Sequence, residues 1–253
     1  MEKLIAQLLR LYLMPELASP DALAQHFQGM QALRVGLASQ DDLMRAIVID
    51  FPKARGGAPA QHWTNLCEVA NRLQEAYGFP PPAVSIDGGS GYQLWLSLEE
   101  AVPLGDVRRF VSMLRDAHCP DLDLQVAVEV ALPPSLNATT GKWAAFIHPG
   151  MGASFAEEAG LEMTPPVMAQ VGFLEGLDSI GKAQFFDALV SMKQSDASST
   201  AAVPAPAPAP AFEPGRAAAD RLLLKDATLE DIVRHLQALD IEPTFRHLLP
   251  RRD

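Results

Sequence analysis

The feature that most constrains this chain is a glycine-rich turn between two stretches of strand-like sequence. Residues 83–86 lead into the turn, and residues 92–98 leave it with strict alternation between two faces: Tyr92, Leu94, Leu96 and Leu98 on one, Gln93, Trp95 and Ser97 on the other. This pattern predicts a β-hairpin. The three glycines between Gly88 and Gly91 indicate an ordinary tight turn, an unusual backbone path or the close approach of a ligand, because glycine adopts positive φ without steric cost.

The segments on either side of the hairpin have helical or strand periodicity in a regular order. They are strand 46–50, helix 62–77, strands 83–87 and 92–98, helix 106–117 and strand 121–130. The order β-α-β-β-α-β predicts an α+β fold: an RRM-like, four-stranded antiparallel sheet with both helices on one face.

This arrangement carries an expectation about carboxylates. We expect the first and last strands to be neighbours at the centre of the sheet, so that Asp50 approaches Asp121 or Asp123, with Gln93 on the hairpin strand beside them. Each acid also has a simpler interpretation: Asp50 as a solvated acid at a strand end, and Asp123 as part of an exposed strand start.

The pattern divides the chain into three parts. Two helices precede the sheet within a domain over 1–193, an Ala/Pro-rich linker covers 194–215, and a helical segment covers 216–253. In the last part, the predicted helix 228–239 begins with a capping box. It has one apolar face, formed by Leu229, Ile232, Val233, Leu236 and Leu239. A long tether favours docking of this helix on a protein partner, with packing on its own domain as the alternative.

Charge and composition limit the partners. The chain of 253 residues is 48% hydrophobic and has a formal net charge of −11, which argues against nonspecific binding to phosphates by lysine and arginine. The segment from Met1 to Met14 suggests an amphipathic helix, and no other stretch approaches the length of a membrane span. Two distant cysteines, Cys67 and Cys119, are typical of buried thiols in a reducing compartment. We therefore expect a cytoplasmic protein without membrane contact.

Three stretches together resemble the archaeo-eukaryotic primase superfamily, in its primase-polymerase branch. They are the strand ending in Asp50, the hairpin from Ser85 to Trp95, and Asp123 followed by the Leu-Pro-Pro-Ser-Leu-Asn sequence at 132–137. The resemblance covers about 34–148, and order and spacing agree with that family.

The resemblance implies a primase-polymerase fold and a site in one cleft. It assigns catalysis to Asp50 and Asp123, and Mg²⁺ or Mn²⁺ binding to Asp50, Asp121 and Asp123. Nucleotide binding would fall to Ser90, Gly91, Gln93 and Asn137.

Three departures from the family pattern weaken the catalytic assignment. Pro52 stands where the family has a second strand acid, Gln93 stands where it has a histidine, and Ala131 replaces an arginine. Glutamine carries no positive charge for a nucleotide phosphate, and few carboxylates remain to balance two metal ions.

The sequence therefore predicts a catalytically degenerate primase-polymerase-like module. Such a pseudoenzyme would bind a nucleotide, a nucleic acid or a protein partner of the kind found in DNA replication and repair, with weak Mg²⁺ or Mn²⁺ binding or none. The alternatives are an active metal-dependent primase or polymerase, a nucleotidyltransferase that uses Asp50 and Asp123, and a purely structural interaction module.

Overall fold

The computed structural model describes residues 1–54, 56–58 and 60–200. It has an α+β fold in which an antiparallel five-stranded sheet is packed between helices. The helices, in chain order, are α1 (Glu2–Leu11), α2 (Pro20–Phe27), α3 (Gln61–Tyr77), α4 (Leu104–His118), α5 (Val167–Glu175) and α6 (Lys182–Thr200), with a 3₁₀ helix at Pro149–Phe155.

The strands form two sheets. They are β1 (Val35–Gly36), β2 (Leu43–Pro52), β3 (Ala83–Ile86), β4 (Gly91–Pro103), β5 (Glu129–Val130), β6 (Ser135–Leu136) and β7 (Trp143–Ile147). The larger sheet has the order β2-β4-β3-β7-β6, and β1 pairs with β5. The predicted succession of strand, helix, hairpin and helix is therefore present from β2 to α4.

Helix boundaries follow local signals in the sequence. Ser19 caps α2, with its side-chain oxygen accepting from the Ala22 backbone N–H at 3.2 Å, and Pro20 begins the helix. At the C-terminal end of α3, Gly78 adopts the left-handed conformation (φ 63°) that stops the helix.

The hairpin between β3 and β4 is confirmed, and its register defines the end of the sheet. Val84 lies opposite Leu94 and Ser85 opposite Gln93, while on the other side of β4 Asp50 lies opposite Gln93. The first strand of the pattern is therefore a direct neighbour of the hairpin strand that carries Gln93.

The two faces of β4 contact different parts of the molecule. On one face, Tyr92 lies against the rings of His62 and Trp63 in α3. On the other face, Trp95 packs against Tyr12, which directly follows α1, and the two ring centroids are 5.2 Å apart. Both α3 and α4 contact β2 and β4, and the second face is covered by the N-terminal region and α5.

The glycine turn is shaped by its own chain. Gly88 has φ +73°, and a Cβ atom there would lie 2.8 Å from the Lys142 carbonyl oxygen. The Gly88 N–H donates to the Ala159 carbonyl at 2.8 Å. Gly160 lies so close to the turn that a Cβ atom added there would be 3.2 Å from the Gly88 backbone. The turn therefore has an unusual backbone path. The groups that approach it closely are backbone atoms of Lys142, Ala159 and Gly160.

The predicted regular strand 121–130 is wrong. Leu122 N–H donates to Cys119 in a turn, and beyond it a single bridge joins Val126 to Ile49. The chain then leaves β2, because the Leu37 N–H bonds the Val128 carbonyl and β5 pairs with β1. Leu124 lies in the core at 5% exposure, whereas Val128, which alternation would place on the same face, is 42% exposed.

Helix α6 continues to Thr200, past the residue at which the linker is predicted to begin. The rest of the linker and the predicted helix 228–239 lie outside the described residues. In the part of the chain that is described, no helix combines the length and apolar character needed to cross a membrane.

Candidate functional site

An open groove of about 740 Å³ lies where β2 ends and the antiparallel strand β4 begins. Asp50, Gly91 and Gln93 line it from the sheet, and lining residues within 129–131 and 135–139 form the facing wall. The groove brings together four residues that the sequence assigned to a site: Asp50, Gly91, Gln93 and Asn137.

A chain of hydrogen bonds runs from the core to the groove, and we call its four members the relay: Trp95, Ser85, Gln93 and Asp50. The Trp95 indole N–H donates to the Ser85 hydroxyl oxygen at 2.8 Å, and the Ser85 hydroxyl donates to Gln93 Oε1 at 3.3 Å. Gln93 Nε2 then donates to Asp50 Oδ1 at 2.9 Å. Trp95 and Ser85 are buried and Asp50 is exposed, so the relay fixes a groove carboxylate to the core.

Asp87 is a second carboxylate at the groove, placed by the hairpin turn. Its Oδ1 accepts from the backbone N–H groups of Gly89 at 2.7 Å and Gly91 at 3.1 Å. Burial raises the pKa of this carboxyl above its ordinary value, the two backbone hydrogen bonds lower it, and the Asp50 charge raises it further. Asp87 therefore holds its charge less easily than a solvated acid.

Asn137 shapes the facing wall. Its side-chain oxygen accepts from the Thr139 N–H at 3.0 Å, and its Nδ2 donates to the Asp87 carbonyl at 3.4 Å. The wall is therefore tied to the hairpin turn through the same residue. On the wall's outer part, Arg34 pairs with Glu129 at 3.3 Å.

The electrostatic character of the groove is acidic. Of the described residues that line it, Asp50, Asp87 and Glu129 are acids and Arg34 is the basic residue. Because Arg34 is paired with Glu129, the lining offers no unpaired cation to a phosphate. Gln93, Ser135, Asn137 and Thr139 add polar uncharged groups to the lining.

The structure separates the other sequence-assigned residues from the groove. Ser90 is exposed on the turn, and Asp121 and Asp123 are exposed in the segment before Val126. None of the three is among the lining residues of the described chain. Asp123 Oδ1 instead accepts from Gln125 Nε2 at 2.6 Å. The separation has the same cause as the missing strand: the chain turns at 119–122, and Asp123 lies in the irregular segment after the turn.

The donor set does not fit the two-metal centre that the primase-polymerase resemblance implies. Among the described residues, no three His, Cys, Asp or Glu side chains come together as metal ligands. One oxygen of Asp50 is engaged by Gln93, and one oxygen of Asp87 by two backbone N–H groups. Two divalent cations close together require more carboxylates than this groove presents.

Asp87 and Ser85 contribute to the groove although neither is among the residues predicted for the site. The signal for Asp87 was an acid directly before Gly-Gly at the end of a strand, since aspartate side chains often accept from the backbone two residues on. Ser85 gave a weaker signal, a small polar residue within an apolar strand, which needs a partner once it is buried.

Comparisons with known proteins add no family to this geometry. No protein-family model matches the chain, and no curated protein matches it. Membership in the primase-polymerase superfamily therefore stays a prediction from the sequence motifs.

Proposed function

We propose that this chain is a catalytically inactive primase-polymerase-like module that binds a nucleotide or single-stranded nucleic acid in the groove. The observation that carries the proposal is the relay, because it holds Gln93 and Asp50 at the groove with fixed hydrogen-bonding groups. A glutamine amide and a carboxylate are groups that contact base edges.

The charge of the groove favours recognition of the base over the phosphates. Phosphate contacts dominate affinity where lysine and arginine are available, whereas here the basic lining residue is already paired with Glu129. We therefore expect modest affinity that depends little on salt, and a triphosphate that binds no better than its nucleoside.

A matched pair of substitutions tests the binding site. Gln93→Leu removes the amide from the groove, and Gln74→Leu removes an amide that bonds its own helix at Ala70. Titration of the full chain with short single-stranded oligothymidine should show roughly tenfold weaker binding for Gln93→Leu, the size of one lost hydrogen bond to a charged or polar site. Gln74→Leu should bind as the wild type does. Equal affinities for all three proteins would overturn the proposed site.

The competing function is an active nucleotidyltransferase, favoured by the presence of two carboxylates, Asp50 and Asp87, at one groove. Template-dependent incorporation of nucleotides with Mg²⁺ or Mn²⁺ separates the two functions. We expect little or no incorporation, since the third acid of the groove lining, Glu129, is paired with Arg34 and the described lining offers no unpaired cation. Robust incorporation that disappears in Asp50→Ala would establish the enzyme.

We also propose that helix 228–239 binds a protein partner in the cytoplasm. Support comes from the sequence, in which a capped apolar face follows an Ala/Pro-rich tether. Deletion of 216–253 should abolish partner recovery and leave the thermal melting of the remaining domain unchanged. A large loss of thermal stability with unchanged recovery would assign this helix to the fold instead.

A further inference from the structure

The direction of the relay determines which groups face the groove. An indole N–H only donates, so the Ser85 oxygen must accept from Trp95 at 2.8 Å, and the Ser85 hydroxyl proton is left to donate to Gln93 Oε1. This fixes the amide of Gln93 with its NH₂ group toward Asp50. A buried donor in the core thereby selects one of the two orientations of a groove amide.

Two hydrogen-bonding groups of the relay are left over. The Gln93 NH₂ group has a second N–H, and Asp50 has a second oxygen, Oδ2. Within the described chain neither has a protein partner. Gln93 and Asp50 both line the groove, so a donor and a negatively charged acceptor stand beside each other there.

We propose that this donor–acceptor pair recognises the Watson–Crick edge of an unpaired nucleobase. In uracil and thymine, the ring N3–H would donate to Asp50 Oδ2 and the adjacent carbonyl would accept from Gln93. The inference rests on the proposed function and specifies which part of the nucleotide the groove binds. It has a direct consequence: bases whose Watson–Crick edges are paired in a duplex are not ligands.

The acceptor in this pair is charged, which makes the ring N–H the larger contributor. Hydrogen bonds to charged groups contribute more than neutral ones, and a group that loses its partner in a desolvated contact costs affinity. Methylation of N3 removes that donor and places a methyl group against the carboxylate. Uridine should therefore bind roughly tenfold or more tightly than N3-methyluridine.

Asp50→Asn is the variant that changes this preference without removing the side chain. The amide oxygen can still accept from Gln93, while its NH₂ group replaces the carboxylate acceptor with a donor. The side chain is exposed, so the fold should tolerate the change. We expect Asp50→Asn to bind uridine and N3-methyluridine with affinities within about twofold of each other. The reason is that Gln93 and the new asparagine then both present donors to the base. General damage to the site would lower the affinity for both nucleosides and leave the ratio of the two affinities unchanged.

Ser85→Ala tests the role of the relay as a positioning device. Loss of the hydroxyl leaves the Gln93 amide held by Asp50 alone, so the amide is less firmly positioned, and the preference for uridine should fall. Ser90→Ala is the matched control, because it removes an exposed hydroxyl from the same hairpin outside the groove. It should retain the full preference of the wild type.

The experiment is an NMR titration of the full chain and these variants with uridine and N3-methyluridine, followed through the Trp95 indole N–H at the far end of the relay. A wild-type preference that Asp50→Asn abolishes supports the inference. Equal binding of the two nucleosides to the wild type overturns the base-edge inference and leaves the proposed nucleotide-binding function in place. If neither nucleoside nor oligothymidine binds at all, the proposed function itself is wrong.

Discussion

The two faces of the sheet differ most where β2 ends and β4 begins. On one face, Asp50 and Gln93 present polar groups to the groove. On the other, the neighbouring residue Tyr92 is 1% exposed, and its hydroxyl donates to the Gly152 carbonyl at 2.7 Å. One step along the strand separates a surface suited to a ligand from a surface that belongs to the core.

The difference shows how one strand serves stability and binding at once. The packed face, which we define as Phe51, His62, Trp63, Tyr92 and Gly152, should respond to substitution with a loss of folding free energy. The groove face should respond with a loss of ligand affinity. Substitutions on each face therefore test whether the two roles are separate.

The largest expected effect is on the packed face. A Cβ atom at Gly152 would lie 2.0 Å from the Trp63 ring, so Gly152→Ala must displace a large side chain. Overpacking of this kind lowers the free energy of unfolding by about 1–3 kcal/mol. Thermal and chemical denaturation would measure the loss.

The control for this substitution is Gly172→Ala. Gly172 lies within α5, and a Cβ atom there has nothing within 4 Å. Alanine should raise stability by up to about 1 kcal/mol, because it favours the helix over glycine. Similar losses in the two variants would mean that the Trp63 contact does not determine the result.

Local sequence signals predicted much of this sheet end. Alternation in 92–98 predicted which side chains share a face, and the strand before Pro52 predicted Asp50 at its tip beside Gln93. These features depend on residues close in sequence, where the period of the strand and the turn glycines decide the outcome.

The rest of the site depends on contacts between distant segments. Residues 121–130 alternate like a strand, but the hydrogen bonds of the segment go to β1 and to Leu37 as well as to β2. Alternation correctly predicts burial of Leu124 but not the 42% exposure of Val128, and it leaves the choice of backbone partner open. For the same reason the sequence did not predict the facing wall beyond Asn137.

The second expected effect is a loss of stability in acid that originates on the packed face. Burial lowers the pKa of His62, as does the Lys53 charge, while Glu157 and Asp87 raise it. Its buried Nε2 has no hydrogen-bond partner in the described chain. Below about pH 6.5, the ordinary pKa of histidine, the unfolded state binds the proton more readily than the folded state does. The free energy of unfolding therefore decreases as the pH is lowered.

A pH series of denaturation midpoints would measure this effect. His62→Gln should flatten the slope between about pH 7 and pH 5, because the titrating group is gone. Lys53→Gln should give a slope between those of the wild type and His62→Gln, since the charge that lowers the pKa of His62 is removed. An unchanged slope in His62→Gln would assign the acid sensitivity to other groups.

A smaller effect of opposite sign is expected at Asp87, on the groove side. The raised pKa of this carboxyl means that its charge destabilises the fold at neutral pH. Asp87→Asn keeps an oxygen for the Gly89 and Gly91 N–H groups and removes the charge. Its melting temperature should be above that of the wild type at pH 7, and the difference should vanish as the pH falls below the ordinary aspartate value of about 3.9. A variant less stable than the wild type at pH 7 would contradict the proposed balance at this carboxyl.

The most direct test of the two-faced account is an amide NMR titration of the full chain with short single-stranded oligothymidine. The account predicts shifts at Asp50, Ser85, Gln93 and residues 129–139, with residues 62–63 and Gly152 unchanged. Addition of the complementary strand to form a duplex should reverse the shifts. Shifts confined to the packed face, or no shifts at the groove when the oligonucleotide is bound, would contradict it.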